Sequence, residues 1–249
     1  MQILLVGETW VTHSYHIKGL DSFLQSGYGD GVYWISEALK NGGHEFTHLP
    51  SHVAIEHFPD SEQLSRYDVV IFSDIGSNTL LLSPDTAIHS KVTSNRLQMV
   101  KDYVLSGGGF AMIGGYMSFQ GIEAKARYKG TAIEDILPVR LYSEDDRMEI
   151  PEGSEPTVVN ASHPILKDLE KHWPIILGYN KVIAKDNSDV LVTVQSEPLV
   201  VIGQAGQGRT MAFTTDCAPH WAPPEFLEWS GYSKFWNQAV HWLGKKTNN

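Results

Sequence analysis

Short apolar runs, each closed by glycine or a polar residue, set the rhythm of the N-terminal half of the chain. Ile3-Leu4-Leu5-Val6 before Gly7 is apolar on both faces, the pattern of a buried parallel strand. Residues 46–49 read as a second, shorter strand, and residues 67–73 as a third, with Asp74 just past its apolar core. Residues 110–113 form a fourth that runs into Gly114-Gly115. Helical spacing takes over between them. Val32, Ile35 and Leu39 share one helix face, with Asp30 as N-cap and Asn41-Gly42-Gly43 as the stop. Leu97, Val100 and Val104 mark another helix, ended by Gly107-Gly108-Gly109. The stretches 8–29 and 76–93 read as polar, irregular connections, the first rich in aromatic residues. Alternation of strand and helix predicts a parallel sheet with helices on its faces.

The pattern changes after about residue 140. Residues 143–156 are acidic and contain proline, which predicts an exposed loop or edge insertion. Three β segments, 190–194, 199–202 and 209–215, are separated by a Ser-Glu-Pro turn and a glycine-rich turn, as in antiparallel hairpins. A last helix over about 232–243 carries Phe235, Trp236, Ala239, Val240 and Leu243 as its apolar stripe. With no internal repeat, the expectation is one domain over residues 1–249.

Composition narrows the function classes. The 249 residues carry 19 Lys+Arg against 29 Asp+Glu, a net charge of −10, with 42% hydrophobic residues, which suits a globular chain rather than a disordered one. The acidic balance argues against nucleic acid as a partner, since phosphate binding wants a basic footprint. No apolar stretch approaches the ~20 residues of a membrane span, and the start carries no basic leader, so neither membrane nor secretion is expected. The single cysteine, Cys217, excludes an intramolecular disulfide and a cysteine-only zinc site, and points to the reducing cytoplasm.

Ligands of open parallel sheets bind beyond the carboxyl ends of the strands. Those ends carry Glu8 and Trp10, then Asp74, then Gly114, Gly115 and Tyr116, and finally Asp216, Cys217 and His220. The expectation is that these residues meet over one cleft; the alternative is that each merely starts a loop. Gly114-Gly115 could offer backbone N–H groups to a carboxylate or oxyanion, or could form a plain tight turn. The chain lacks both G-x-x-x-x-G-K-[ST] and a G-x-G-x-x-G after its first strand, so no nucleotide cofactor is assigned. His13 and His16 are three apart and His163 is isolated, so no established metal motif exists; a Glu8–Asp216–His220 site is the remaining alternative, and no metal is assigned. His163, before Pro164, reads as a residue that orders a turn. Cys217 and His220 have the chemistry of a nucleophile and its base. Cys217 nevertheless sits in an irregular Asp-Cys-Ala-Pro segment, which favours a packed, inert thiol.

The run from Gly108 through Ile113-Gly114-Gly115-Tyr116-Met117-Ser118-Phe119-Gln120-Gly121 resembles the putative glutamine amidotransferase family of class I amidotransferase-like proteins. So do Gly206-Gln207-Gly208-Arg209, the segment 214–221 and Gly231-Tyr232-Ser233-Lys234-Phe235-Trp236, while His163-Pro164-Ile165-Leu166 looks like an element of the related ThuA-like trehalose-utilisation proteins. The resemblance implies an α/β flavodoxin-like three-layer sandwich, with a mostly parallel sheet and antiparallel additions in the C-terminal half. It also implies a cysteine on the elbow after the fourth strand, and a histidine and an acid after the last strands. Here the elbow reads Gly114-Gly115-Tyr116-Met117, without cysteine, while His220 occupies the histidine position. Ser118 lies beyond the elbow and reads as structural.

Three readings follow. The first is a cytoplasmic protein without glutaminase activity that binds a small polar metabolite, sugar-related by the ThuA-like resemblance. Trp10, Tyr116 and Trp221 would stack on that ligand, and Glu8, Asp74, Ser118, Asp216 and His220 would offer polar contacts. The second is an active hydrolase or amidotransferase using Cys217, or a water activated by His220 with Asp216. The third is a homo-oligomer built through the aromatic tail, where three of the seven tryptophans fall within 221–236.

Overall fold

The computed structural model describes residues 1–245. The chain runs β1 (Gln2–Gly7), a long hairpin of β2 (Thr9–Lys18) and β3 (Asp21–Asp30), α1 (Tyr33–Asn41), β4 (Glu45–Leu49), α2 (Ser51–His57), α3 (Ser61–Leu64) and β5 (Val69–Ser73). Short helices α4 (Ser77–Leu81) and α5 (Pro84–Ala87) lead to α6 (Arg96–Leu105), β6 (Gly109–Ile113), α7 (Ala132–Ile136) and β7 (Val139–Leu141). The second half is strand-rich: β8 (Arg147–Ser154), β9 (Thr157–Val158), β10 (Ile176–Asn180), β11 (Val182–Ala184), β12 (Asp189–Val194), β13 (Glu197–Ala205) and β14 (Gly208–Phe213). It closes with α8 (Pro224–Leu227) and α9 (Ser230–Leu243).

Eight strands form one sheet in the order β4-β1-β5-β6-β14-β13-β12-β9. The first five are mutually parallel, and β13, β12 and β9 extend the sheet antiparallel. This is the flavodoxin-like α/β sandwich, with antiparallel additions. The two-residue period of a strand divides each apolar run between two cores. Ile3, Leu5, Val69, Ile71, Ala111 and Ile113 face α1 and α9. Leu4, Val6, Val70, Phe72, Phe110 and Met112 face α6 and α7. Continuous apolar runs therefore read correctly as strands buried on both sides.

The stretch after Glu8 departs from expectation. It is no irregular loop but a ten-residue-per-strand hairpin in continuous register, from Thr9 opposite Asp30 to Lys18 opposite Asp21. The turn is Gly19-Leu20, with Gly19 at φ +66°, the left-handed geometry that suits the twist of flanking strands. Val11, Tyr15 and Ile17 alternate with Thr12, Ser14, His16 and Lys18, the two-residue period of a ribbon with one apolar face, which the reading as an irregular connection passed over. Asp30 ends this hairpin and caps no helix; α1 starts three residues later, with Val32 at its N-cap.

The acidic segment 143–156 also differs in part. Arg147–Ser154 pairs with β10, Glu149 and Glu152 face solvent, and Asp146 and Ile150 are buried. The stretch 76–93 includes the two short helices α4 and α5.

Candidate functional site

The C-terminal ends of β1, β5, β6 and β14 converge, and the residues following them form a buried polar floor under an aromatic rim. Glu8 follows β1 at φ +54° and Asp74 follows β5 at φ +44°, both in the left-handed region that side chains seldom adopt. The two turns are tied together, with Glu8 N–H donating to the Ser73 carbonyl at 2.7 Å. Asp74 Oδ1 accepts the Met117 N–H at 2.6 Å while Asp74 N–H donates to Ser118 Oγ at 3.1 Å. Ser118, buried, thus fastens the loop after β6 to the end of β5, which is a structural role.

On the floor, Ser73 Oγ donates to Glu8 Oε2 at 2.5 Å, and Cys217 Sγ lies 3.8 Å from the same oxygen and 3.7 Å from Ser73 Oγ. Asp216 Oδ1 accepts the Ala218 N–H at 3.1 Å. Burial first, then the Asp74 charge, pushes Glu8 up to about 8, so its carboxyl is mostly protonated at neutral pH. Burial and the charges of Glu8 and Asp74 push Asp216 well up, and burial raises Asp74. Each of these carboxyls opposes the ionisation of its neighbours, so their protons are lost in linked steps. Burial, then Glu8 and Asp216, also pushes the Cys217 thiol well up. Ligand atoms of Glu8, Asp216 and Cys217 lie within 4.8 Å of one another, all three buried. His220 is absent from that group, so the Glu8–Asp216–His220 metal arrangement is not what the fold assembles.

The rim stands above. His220, at φ +138°, has a side chain 39% exposed, with Nδ1 3.9 Å from Asp216 Oδ2. Its ring meets Tyr116 edge-on at 4.4 Å and stacks on Trp221 at 5.2 Å. Partial burial lowers its pKa, so the imidazole is neutral at pH 7. Arg147 lies over the Tyr116 ring at 4.7 Å, and the Trp221 indole donates to Glu149 Oε2 at 2.9 Å. Tyr116, His220 and Trp221 therefore form one cluster. Trp10 does not join it: the ring lies across Gly29 on the hairpin, 43% exposed.

The turn after β6 is no open anion cradle. Gly114 N–H donates to the carbonyls of Phe213 and Thr215, and Gly115 N–H donates to Asn180 Oδ1 at 3.0 Å. Asn180 Nδ2 in turn donates to Asp146 Oδ1, which with Oδ2 also receives the Gly121 and Gln120 N–H groups. Gly115, at φ +144°, has no room for a Cβ, which would lie 2.9 Å from Asp74 Oδ1. The N–H groups of the glycine pair thus hold the fold together.

Cys217 finds its hydrogen-bond partners in Ser73 and Glu8, and His220 is not among them, which leaves the nucleophile–base pairing without its geometry. In the aromatic tail, Trp221 and Trp236 are fully buried, and the half-buried Trp229 donates its indole N–H to Glu170 Oε2. His163 does order a turn, its Nδ1 accepting the Ile165 N–H. Sequence reasoning missed Ser73, Asp146, Arg147, Glu149 and Asn180. Ser73 looked like the tail of a strand and Asp146 like one of a run of solvated acids, so only pairing over long separations could find them.

Residues 2–245 match the family described as "Putative glutamine amidotransferase". Two solved structures are similar along their whole length. One is a cytoplasmic protein of Salmonella typhimurium, 42% identical, TM-score 0.95, covering 98% of this chain and 99% of that one. The other is a cytoplasmic protein of strain LT2, 43% identical, TM-score 0.95, covering 98% and 100%. A ThuA-like protein of Parabacteroides merdae shares the fold at 14% identity, TM-score 0.61, covering 100% and 92%. No curated protein matches the sequence. No helix among the described residues is long and apolar enough to cross a membrane. The chain belongs to the glutamine amidotransferase-like family.

Proposed function

We propose that this family member lacks glutaminase activity and binds a small polar, sugar-related metabolite in the cytoplasm, at the ends of the sheet strands. The observation that carries the first part is the elbow. The elbow, where the resemblance calls for cysteine, reads Gly114-Gly115-Tyr116-Met117, and the one thiol of the chain is buried against Ser73 and Glu8. With its pKa pushed up, Cys217 is a thiol at neutral pH, and the thiolate is the nucleophile. The N–H groups of Gly114 and Gly115 that would meet an oxyanion are already bonded within the fold.

Support for the ligand class comes from the chemistry of the rim. The accessible rings of Tyr116 and His220 suit the C–H faces of a sugar ring, whereas Trp221, expected to stack on the ligand, is buried behind them. The Asp74 carboxyl, the His220 imidazole and Glu149 on the Trp221 indole suit its hydroxyls. The 42–43% identical relatives are cytoplasmic proteins, which suits a chain with one reduced, buried thiol.

A glutaminase assay tests the first half. Ammonia release at the buffer rate is expected for the wild type and for Cys217→Ala; release that disappears in Cys217→Ala overturns the reading. Thermal shift with a panel of neutral mono- and disaccharides tests the second. A sugar that raises Tm for the wild type but not for Tyr116→Ala supports it, and a panel without any shift sinks it. One observation favours a second reading, water-based hydrolysis: the neutral His220 imidazole is solvent-accessible and 3.9 Å from Asp216, the setting of a general base. Turnover of a bound sugar ester that is lost in His220→Ala would establish that alternative.

A further inference from the structure

We propose that the β2–β3 hairpin is a dimerisation arm, through which two copies of this chain pack the same apolar face against each other. Residues opposite one another in an antiparallel ladder share a face. Val11 pairs with Tyr28 and Tyr15 with Leu24, and Ile17 lies two residues further along, so five large apolar side chains line one side. Tyr15 and Ile17 are each 75% exposed, and Leu20 at the tip is fully exposed. The opposite side is mostly polar, with Thr12 opposite Gly27, Ser14 opposite Gln25 and Lys18 opposite Asp21; its aromatic rings are Trp10, laid across Gly29 at the base, and Phe23, stacked on His16.

Such an arm is poorly explained as a free element. Ten residues per strand extend it by about 34 Å, and a lone two-stranded hairpin is marginal in water. Its base is pinned, with Thr9 Oγ1 accepting the Ser51 N–H and Tyr28 meeting His52 edge-on at 5.5 Å. Beyond that base, the ring contact of the arm is internal, His16 stacked on Phe23.

Three features single out a second copy as the occupant. Val11, Tyr15, Ile17, Leu20, Leu24 and Tyr28 are each more than half exposed, a continuous apolar face and tip of the kind a standard-size interface, with about 800 Å² from each partner, would cover. Charge points the same way. The chain carries −10, yet beyond Asp30 at its base the arm contributes only Lys18 and Asp21, which cancel. Two like-charged molecules therefore meet with least repulsion there, and a strongly charged partner finds little to grip. A stripe of aliphatic and tyrosine side chains is also self-complementary, as a two-fold interface requires.

Sedimentation equilibrium of the full chain over about 1–100 μM tests this, since a modest interface of this size shows itself in that range. The wild type is expected at twice the chain mass. Tyr15→Glu/Ile17→Glu/Leu24→Glu should weaken association by at least about 100-fold, because it buries like charges against each other. Thr12→Glu/Ser14→Glu/Gln25→Glu, on the opposite face, should stay dimeric. Far-UV circular dichroism and an unchanged unfolding transition at low concentration verify that both variants are folded. A wild type that is monomeric throughout overturns the proposal, whether the arm then serves another protein or folds over its own strand ends. Equal weakening by both triple variants overturns it too, because the face would not matter.

Discussion

Two aromatic regions of this molecule have similar composition and opposite fates. The C-terminal cluster interlocks: Trp173 meets Phe235 at 5.2 Å, Phe213 meets Trp236 at 5.0 Å, and Phe235 meets Trp236 at 5.2 Å. It lies between the sheet and α9, with Trp173, Trp236 and Phe235 essentially out of water. The N-terminal hairpin holds Trp10, Tyr15, Phe23 and Tyr28 on a two-stranded ribbon, all at least 43% exposed. Counting rings does not distinguish a core from a surface. An α-helical stripe laid on a sheet has a second layer to bury it, whereas a ribbon that leaves the body has none.

That contrast can be broken most forcefully at Trp236. Trp236→Ala should cost about 3–5 kcal/mol in urea unfolding, by lost transfer energy and the cavity left behind. A loss near zero would place Trp236 in the same class as the arm. Next comes the buried polar bridge that holds the elbow, neither apolar core nor surface. Asn180→Ala leaves the Gly115 N–H and one Asp146 bond unpaired, and should cost about 2 kcal/mol by the same measurement.

The floor carboxyl gives a smaller, pH-dependent effect. Glu8 holds its proton up to about 8, whereas in the unfolded chain it ionises in the ordinary carboxylate range. Between those limits the folded state binds the extra proton, so its contribution to stability is full at low pH and is lost as pH rises. Glu8→Gln, which mimics the neutral acid, should match the wild type in Tm near pH 5 and exceed it by a few degrees near pH 9. A constant difference across that range would argue that Glu8 is ionised in the fold. The smallest effect belongs to the arm: Tyr15→Ala, measured where the protein is dilute, should change unfolding stability by no more than about 0.5 kcal/mol. A large loss there would show that the arm packs on its own body.

The same reasoning separates what was legible in the sequence from what was not. Val69–Ser73 and Gly109–Ile113 were readable because buried parallel strands need unbroken apolar runs, and α6 and α9 because helices repeat apolar positions every three or four residues. Asp74, Asp216 and Tyr116 were readable as strand-end residues, since an open α/β sheet sends its ligands there. The hairpin was missed although Val11, Tyr15 and Ile17 alternate with polar residues, because His13 interrupts the apolar positions and the segment lacks the unbroken apolar run of a buried strand. Asp30 was misread as a cap because capping residues also end strands.

Local periodicity thus determined the parallel sheet and the helices against it. Tertiary structure alone decided which aromatic region became core, that Asn180 reaches Gly115 from 65 residues away in the chain and is itself held by Asp146, and that Cys217 rests on Ser73 and Glu8 rather than His220. The reason is physical. Periodicity is set by neighbours within a turn or a strand, but burial, and the partner a buried polar atom finds, depend on segments brought together only when the sheet closes.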